Sequence, residues 1–381
     1  MTPTRLARHE ATLAGLERKE RLRTLMARDG VDFSSNDYLG FAGSTRLATA
    51  VTAALQRNVP VGAGGSRLLR GNHPEHEALE AEAAAFFGAE RVLYFSTGYA
   101  ANAALFSTLP QRGDLIVHDA LVHASAHEGI KASRAQAVPA AHNDVAAFEE
   151  AIIRWRQGGG TGHPWIAVES LYSMDGDRAP LAALAALAER HDGFLVIDEA
   201  HATGVFGTSG RGLAADLENR RNVIVLHTCG KALGVSGALL GASTTLCDYL
   251  VNRARGFIYS TAPSPLMAAT VREALRMLVD EPQRRADFDA LRAFANTELA
   301  AKLGVAGSGS QILPVLIGDN GQAVRIAARM RAEGFDIRAI RPPTVPEGTA
   351  RLRIAITLNV DMPTITRMFT RLAAIMGEEK L

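Results

Sequence analysis

Cysteine is scarce in this chain of 381 residues, which contains only Cys229 and Cys247. The two are too close in sequence to suggest a disulfide framework, so we expect a reduced, cytoplasmic protein. Long apolar runs are also missing: none reaches the roughly 20 residues of a membrane span, and the N-terminus lacks the apolar core of a signal peptide. The sequence therefore predicts a soluble protein that does not bind a membrane.

A net charge is missing as well, because 41 Lys and Arg residues nearly cancel 40 Asp and Glu residues. This balance gives no general attraction to nucleic acid, so an anionic ligand needs a local site. The apolar fraction of 47% and the charged fraction of 21% are typical of a chain with a sizeable core.

The motif IDEAH (197–201) could indicate the DEAH box of a nucleotide hydrolase, but such an enzyme also needs the phosphate loop GxxxxGK[ST], which this chain lacks. Ala232 follows Gly230-Lys231, and the position five before Gly230 is Val225. A metal site is not predicted either. His118, His123 and His127 lie near a strand end without matching cysteines or carboxylates.

Short β-rich runs alternate with helical or loop stretches from residue 91 to residue 243. They are RVLYFS (91–96), DLIVHD (114–119), WIAVES (165–170), FLVIDEA (194–200), NVIVLHT (222–228) and ALLGAS (238–243). Such runs are typical of strands buried on both faces, and the alternation predicts an α/β fold with a mainly parallel, doubly wound sheet. Ligands bind such sheets at the carboxyl ends of the strands.

The composition changes after about residue 277, where charged helices and a few strands predict a small α+β domain. We therefore expect an N-terminal helix and arm (1–40), a large domain (41–277) and a C-terminal small domain (278–381). Within the arm, an amphipathic helix is predicted from about 5 to 28.

Four features of the predicted large domain together match one cofactor, although each alone has an ordinary explanation. Gly98 opens a helix after a strand, and Asp198 ends another strand. Lys231 lies in a glycine-rich loop, and His123 follows a strand end. Taken singly, Gly98 could simply form a turn, Asp198 could cap a helix, Lys231 could be a solvated surface lysine and His123 could be an ordinary loop residue. Pyridoxal 5′-phosphate (PLP) needs a phosphate cradle, an acid for its pyridine nitrogen, a lysine for an imine and a planar group over its ring.

The motifs NDYLG (36–40), SMDGD (173–177), IDEAH (197–201), GK (230–231) with GVSG (234–237) and YSTAPSP (259–265) occur in this order. In these motifs the chain resembles, almost end to end, the α-oxoamine synthase family of PLP enzymes. The resemblance implies fold type I of the PLP-dependent transferases. AIRPPTVPEGTARLRI (339–354) resembles the family's biotin-pathway member, which condenses L-alanine with a pimeloyl thioester.

The resemblance also implies roles for single residues. Lys231 forms the imine and then serves as the base, Asp198 pairs with the pyridinium nitrogen, and His123 stacks on the ring. His201 hydrogen-bonds the ring hydroxyl. Further cofactor contacts are implied for Gly98, Tyr99, Ser173 and Thr228, and, from a neighbouring subunit of a homodimer, for Ser260 and Thr261.

Other residues are implied in substrate binding. Thr344 contacts substrate, either Arg351 or Arg353 binds the amino-acid carboxylate, and Arg23 meets the acyl group. Asn36 and Glu169 are expected in the site without a defined role.

The implied reaction joins alanine to a pimeloyl group, on coenzyme A or on a carrier protein, with release of CO₂ and the thiol. Three alternatives stay open. One is a sibling reaction: glycine with acetyl-CoA, glycine with succinyl-CoA, or serine with a long acyl-CoA. The second is an aminotransferase of the same fold. The third is a catalytically silent subunit that only stabilises a partner. Such a subunit should lack the imine-forming lysine, whereas this chain has Lys231.

Overall fold

Strands and helices alternate along most of residues 5–379, the part of the chain that the computed structural model describes. The strands are β1 (Val31–Asp32), β2 (Arg91–Phe95), β3 (Leu115–Asp119), β4 (Gln136–Ala140), β5 (Pro164–Glu169), β6 (Phe194–Asp198), β7 (Val223–Thr228), β8 (Ala238–Ala242), β9 (Ile312–Gly318), β10 (Phe335–Asp336), β11 (Arg338–Ile340) and β12 (Ala350–Ala355). The α-helices are α1 (Ala7–Arg18), α2 (Thr45–Gln56), α3 (Pro74–Phe87), α4 (Gly98–Thr108), α5 (Ala124–Lys131), α6 (Val145–Gln157), α7 (Leu181–Arg190), α8 (Thr244–Arg253), α9 (Arg255–Ile258), α10 (Pro265–Asp280), α11 (Pro282–Leu303), α12 (Asn320–Ala332) and α13 (Met362–Glu378).

The chain divides into two compact units. The large unit consists of Leu39–Ser173 and Asp177–Ala286. The small unit consists of the segment that ends at Tyr38, of Met174–Gly176, and of the segment that begins at Asp287.

A seven-stranded sheet forms the centre of the large unit, in the order β2-β8-β7-β6-β5-β3-β4. The pairs from β7 through β6, β5 and β3 to β4 are all parallel, which confirms the mainly parallel sheet. β8 is antiparallel to both of its neighbours. The sequence did not predict β4, because this edge strand is largely exposed and has no apolar run.

Both faces of this sheet are buried, as the apolar strand sequences require. Along β6, Leu195 and Ile197 belong to one apolar cluster, whereas Val196 belongs to the cluster on the other face. Helices cover each side: α4 contributes Leu105 to one cluster and α7 contributes Leu184 to the other. The polar residues of β5, β6 and β7 are thereby confined to the strand ends.

The predicted N-terminal helix was too long, because α1 ends at Arg18. Glu20 has a φ of 55°, a left-handed conformation that a continuing helix cannot contain. After this point, arginine side chains of the small unit donate hydrogen bonds to backbone carbonyl groups. Arg341 donates to the Glu20 carbonyl, and Arg331 donates to the Ala27 carbonyl at 3.0 Å.

The small unit contains an antiparallel sheet in the order β11-β12-β9 and a parallel pair of β1 with β10. This confirms a small α+β region. β10 and β11 have only two and three residues, too few for a sequence pattern to reveal. Within residues 5–379, no helix is both long and apolar enough to span a bilayer, and no group of His, Cys, Asp and Glu side chains could hold a metal ion.

Candidate active site

Asp198 lies at the carboxyl end of β6, where two hydrogen bonds fix its carboxylate. Oδ2 accepts from the side-chain amide of Asn102 at 2.9 Å, and Oδ1 accepts from the backbone N–H of Ala200 at 2.9 Å. These two bonds hold the carboxylate in one orientation.

Asn102 also connects Asp198 to His123. The same amide donates to Ser125 Oγ at 3.0 Å, and Ser125 Oγ lies 2.8 Å from His123 Nδ1. Nδ1 also accepts from the Ser125 backbone N–H at 3.2 Å, so its lone pair points towards Ser125. Burial lowers the pKa of His123, and the charge of Lys231 adds to this against the opposing effect of Asp198. His123 is therefore a neutral imidazole in a fixed position.

Lys231 lies in the loop between β7 and β8, and its Nζ is 2.7 Å from His201 Nε2. The loop is held by backbone bonds from Val235 N to Cys229 O and from Gly234 N to Lys231 O, each 2.9 Å long. Gly234 has a φ of +66°, and a Cβ there would lie 2.4 Å from the Ala42 nitrogen. Only glycine fits this turn, which explains the GVSG motif.

Glu169 ends β5 and is paired in register with Asp198 on β6. Its Oε2 accepts from the Ser173 backbone N–H at 3.2 Å, while Oε1 is buried without a hydrogen-bond partner among the described residues. Burial and the neighbouring Asp198 charge raise the pKa of Glu169 to about 8. At neutral pH Glu169 is therefore a protonated acid beside a carboxylate.

Gly98 begins α4, and Thr97 caps the helix by accepting from the Ala100 N–H at 3.0 Å. A Cβ at Gly98 would lie 3.7 Å from Thr228 Oγ1, so the helix start adjoins the end of β7. The N–H groups of a helix's first turn and a hydroxyl together suit a phosphate. Tyr99 is half-exposed in the same turn.

Two predicted cofactor residues lie outside this network. Ser260 and Thr261 are exposed, and Thr261 makes an isolated bridge with Ser66. Conversely, sequence reasoning missed Asn102 and Ser125. The one signal in the sequence was a polar Asn102 among the mostly apolar residues of α4, and the structure shows that Asn102 is only 2% exposed.

The predicted substrate residues all lie in the small unit, where they form pairs. Arg353 Nη2 donates to Asn36 Oδ1 at 2.9 Å, and Tyr38 donates to the same oxygen at 3.0 Å. Arg23 Nη2 donates to Thr344 Oγ1 at 3.0 Å.

Arg351 lies on the same face of β12 as Arg353 but has a different partner. Its Nη1 is 2.5 Å from Asp175 Oδ1, within the SMDGD motif, and its Nε donates to the Thr349 carbonyl at 3.1 Å. Both arginines are 6% exposed. Arg351 is thus neutralised by a carboxylate of its own unit.

The large-unit groups fit PLP by their chemistry. An amine, a fixed carboxylate and a neutral imidazole lie at one sheet edge with a helix N-terminus, and a small cavity is lined by Asn102, His123, Glu169 and Asp198. The buried, unpartnered Oε1 of Glu169 is a further polar atom for a bound group to satisfy.

Comparison with known proteins agrees with this chemistry. The model of the family "Aminotransferase class I and II" matches residues 28–372. An 8-amino-7-oxononanoate synthase of Anaeromyxobacter dehalogenans is 42% identical over 351 residues, which are 91% of this chain and 87% of that protein.

Solved structures show the same fold. An 8-amino-7-oxononanoate synthase from Francisella tularensis is 26% identical with a TM-score of 0.77, covering 92% of this chain and 99% of its own. A structure of serine palmitoyltransferase (SPT) with PLP is 25% identical with a TM-score of 0.87, and the match covers 99% of both chains.

Replacing Asn102 with alanine should weaken PLP retention, because Asp198 loses a charge-assisted hydrogen bond and Ser125 loses its donor. We expect the PLP dissociation constant to rise about 10- to 100-fold, because this ratio corresponds to the free energy of one hydrogen bond to a charged group. Absorbance titration measures it. Ser107→Ala is the matched control on the same helix, since the Ser107 hydroxyl donates to carbonyls of its own helix. Equal retention in both variants would contradict this role.

Proposed function

Because the chain belongs to the 8-amino-7-oxononanoate synthase family, within the class I and II aminotransferases, we propose that it condenses L-alanine with a pimeloyl thioester. The products are 8-amino-7-oxononanoate, CO₂ and the free thiol, and the reaction belongs to biotin biosynthesis. The enzyme is a PLP-dependent acyltransferase. The observation that supports this most strongly is the 42% identity over 91% of the chain.

PLP, when bound, supplies an electron sink that makes the Cα–H of the amino acid acidic. Asp198 would hold a proton on the pyridine nitrogen, because hydrogen bonds from Asn102 and Ala200 fix the orientation of its carboxylate. The start of α4 at Gly98, together with Thr228, would bind the phosphate. His123 would lie against the ring, held at Nδ1 by Ser125.

Lys231 is the base in this proposal. Its amine would remove the proton from Cα of the substrate and later return a proton to the product carbon. His201, 2.7 Å from Nζ, is positioned to orient that amine. The protonated Glu169 would hydrogen-bond a cofactor atom through its buried Oε1.

We propose that Arg353, not Arg351, binds the carboxylate of alanine. Arg351 is already paired with the Asp175 carboxylate, whereas Arg353 Nη2 donates to the uncharged side chain of Asn36. A guanidinium fork suits a carboxylate ligand because it can donate two parallel hydrogen bonds. Arg23 and Thr344 are proposed to contact the acyl group.

A homodimer in which Ser260 and Thr261 serve the neighbouring subunit's cofactor is also a proposal, supported by the exposure of both residues. A cytoplasmic location is proposed from the two cysteines, which are buried and unbridged. Either coenzyme A or a carrier protein could deliver the pimeloyl group.

Purified enzyme with PLP should release thiol and CO₂ in equal amounts from L-alanine and pimeloyl-CoA or a pimeloyl-carrier protein. Glycine with acetyl-CoA or succinyl-CoA, and serine with a long acyl-CoA, should give far lower kcat/KM values. Thiol release is measured for each pair, and product mass identifies the amino ketone. Preference for one of the sibling pairs, or transamination of a 2-oxo acid without CO₂ release, would replace the proposed reaction.

Arg353→Lys should raise KM for alanine about 10-fold or more while leaving KM for the acyl donor nearly unchanged, because lysine keeps the charge but loses the bidentate fork. Arg351→Lys is the matched variant on the same strand face and should change KM for alanine much less. Initial rates at varied alanine decide between them. A large effect of Arg351→Lys with none of Arg353→Lys would reverse the assignment.

A further inference from the structure

Away from the residues assigned above, His142 lies between two carboxylates of the large unit. Nδ1 is 2.9 Å from Asp119 Oδ1, and Nε2 is 2.7 Å from Asp177 Oδ2. Asn143 binds both acids as well, through its backbone N–H to Asp119 and its side-chain amide to Asp177, each at 2.8 Å or less. We define Asp119, His142, Asn143 and Asp177 as the His142 cluster.

This geometry favours one protonation state of His142, because Nε2 and the Asn143 amide nitrogen, 3.2 Å apart, both approach the same Asp177 oxygen at 2.7 Å. A carboxylate only accepts hydrogen bonds, and a neutral imidazole can donate from one nitrogen only. A neutral ring would therefore direct a lone pair at one carboxylate from less than 3 Å. Both contacts are favourable only if both ring nitrogens have a proton, which makes His142 an imidazolium.

The electrostatic surroundings agree with this state. Burial alone would lower the pKa of His142, but hydrogen bonds and charge from Asp119 and Asp177 outweigh it and raise the pKa. Among the described residues, a further titratable group in contact is Tyr172, whose ring meets the imidazole edge-on with centroids 4.4 Å apart. Burial and Asp119 raise the pKa of Tyr172, so this phenol stays neutral.

Asp119 connects the cluster to the ring-stacking histidine. It ends β3 and is fully buried, and its Oδ1 accepts from the Leu121 N–H at 2.8 Å. Its carbonyl accepts from the Val122 N–H at 3.3 Å. These bonds shape the turn that leads directly into His123.

Asp177 connects the cluster to the loop after β5. Its carbonyl accepts from the Tyr172 N–H at 2.9 Å, and the neighbouring Ser173 N–H donates to Glu169. The loop also returns to the sheet edge, because the Ser170 N–H donates to the Asp198 carbonyl at 2.9 Å. The charged ring of His142 thus fixes the turn before His123 and the loop after β5, and both segments adjoin residues that are proposed to bind the cofactor.

We propose that His142, as an imidazolium, is a positioning residue that holds the turn before His123 and the loop after β5 in the arrangement that binds PLP. It does not touch the reacting atoms. The proposal rests on the proposed function only for the identity of the cofactor. Because the folded-state pKa is raised, the His142 cluster is intact at low pH and weakens as pH rises through that pKa.

The test measures the rate of PLP release from holoenzyme between about pH 6.5 and about pH 9.5, a range that brackets ordinary and raised histidine pKa values. In the wild type the rate should rise with pH around one midpoint. His142→Gln should release PLP about 10-fold faster or more at the lowest pH, the equivalent of one lost charged hydrogen bond, and should lack that midpoint. His163→Gln, at a histidine with a half-exposed side chain, should match the wild type.

Asp177→Asn gives a second readout that does not require the ring to be replaced. Removing one negative partner should move the midpoint to lower pH, an effect that simple loss of packing would not cause. A wild-type midpoint that persists in His142→Gln, or that stays in place in Asp177→Asn, would overturn the proposal. Thiol release from alanine and pimeloyl-CoA is measured separately, so failure of the proposed reaction leaves the PLP-release result interpretable.

Discussion

The parallel register of β5, β6 and β7 is the constraint on which the large-unit site depends. It pairs Glu169 with Asp198 and brings the end of β7, followed by Lys231, to the same edge. The strands hold this register because Leu195, Val196 and Ile197 alternate between two buried clusters, and a slip by one residue would exchange the faces. The apolar core thereby positions the polar groups.

The charges at this edge depend on one another. Two carboxyl groups side by side at low dielectric cannot both ionise easily, so burial and the charge of Asp198 raise the pKa of Glu169. Asp198 has donors from Asn102 and Ala200, whereas Glu169 has one donor and a raised pKa. The same principle operates in the His142 cluster, where an imidazolium separates two acids. Fixed protonation states follow from the surroundings rather than from the residue types.

The sequence was sufficient for the parts that depend on local pattern. Short apolar runs predicted the central strands. Strand ends in family motifs indicated Asp198, His201 and Lys231, whose roles remain predictions. It could not reveal Asn102 as a partner of Asp198, because the two are 96 residues apart and only the fold brings them together. His142 was missed for the same reason, since its partners are 23 and 35 residues distant. The prediction that the first helix continues to residue 28 was wrong, because arginines distant in sequence bind the backbone carbonyls after Arg18. The periodicity of apolar residues contains no information about such distant contacts.

The central claim is that Lys231 is the lysine to which PLP binds. The chain has four other lysines, Lys19, Lys131, Lys302 and Lys380, so the assignment can be made without ambiguity. Holoenzyme is reduced with borohydride and digested, and the peptide that contains the pyridoxyl group is identified by mass spectrometry. We predict visible absorbance before reduction and a single modified peptide containing Lys231. Modification of another lysine, or the absence of bound PLP, would contradict the account.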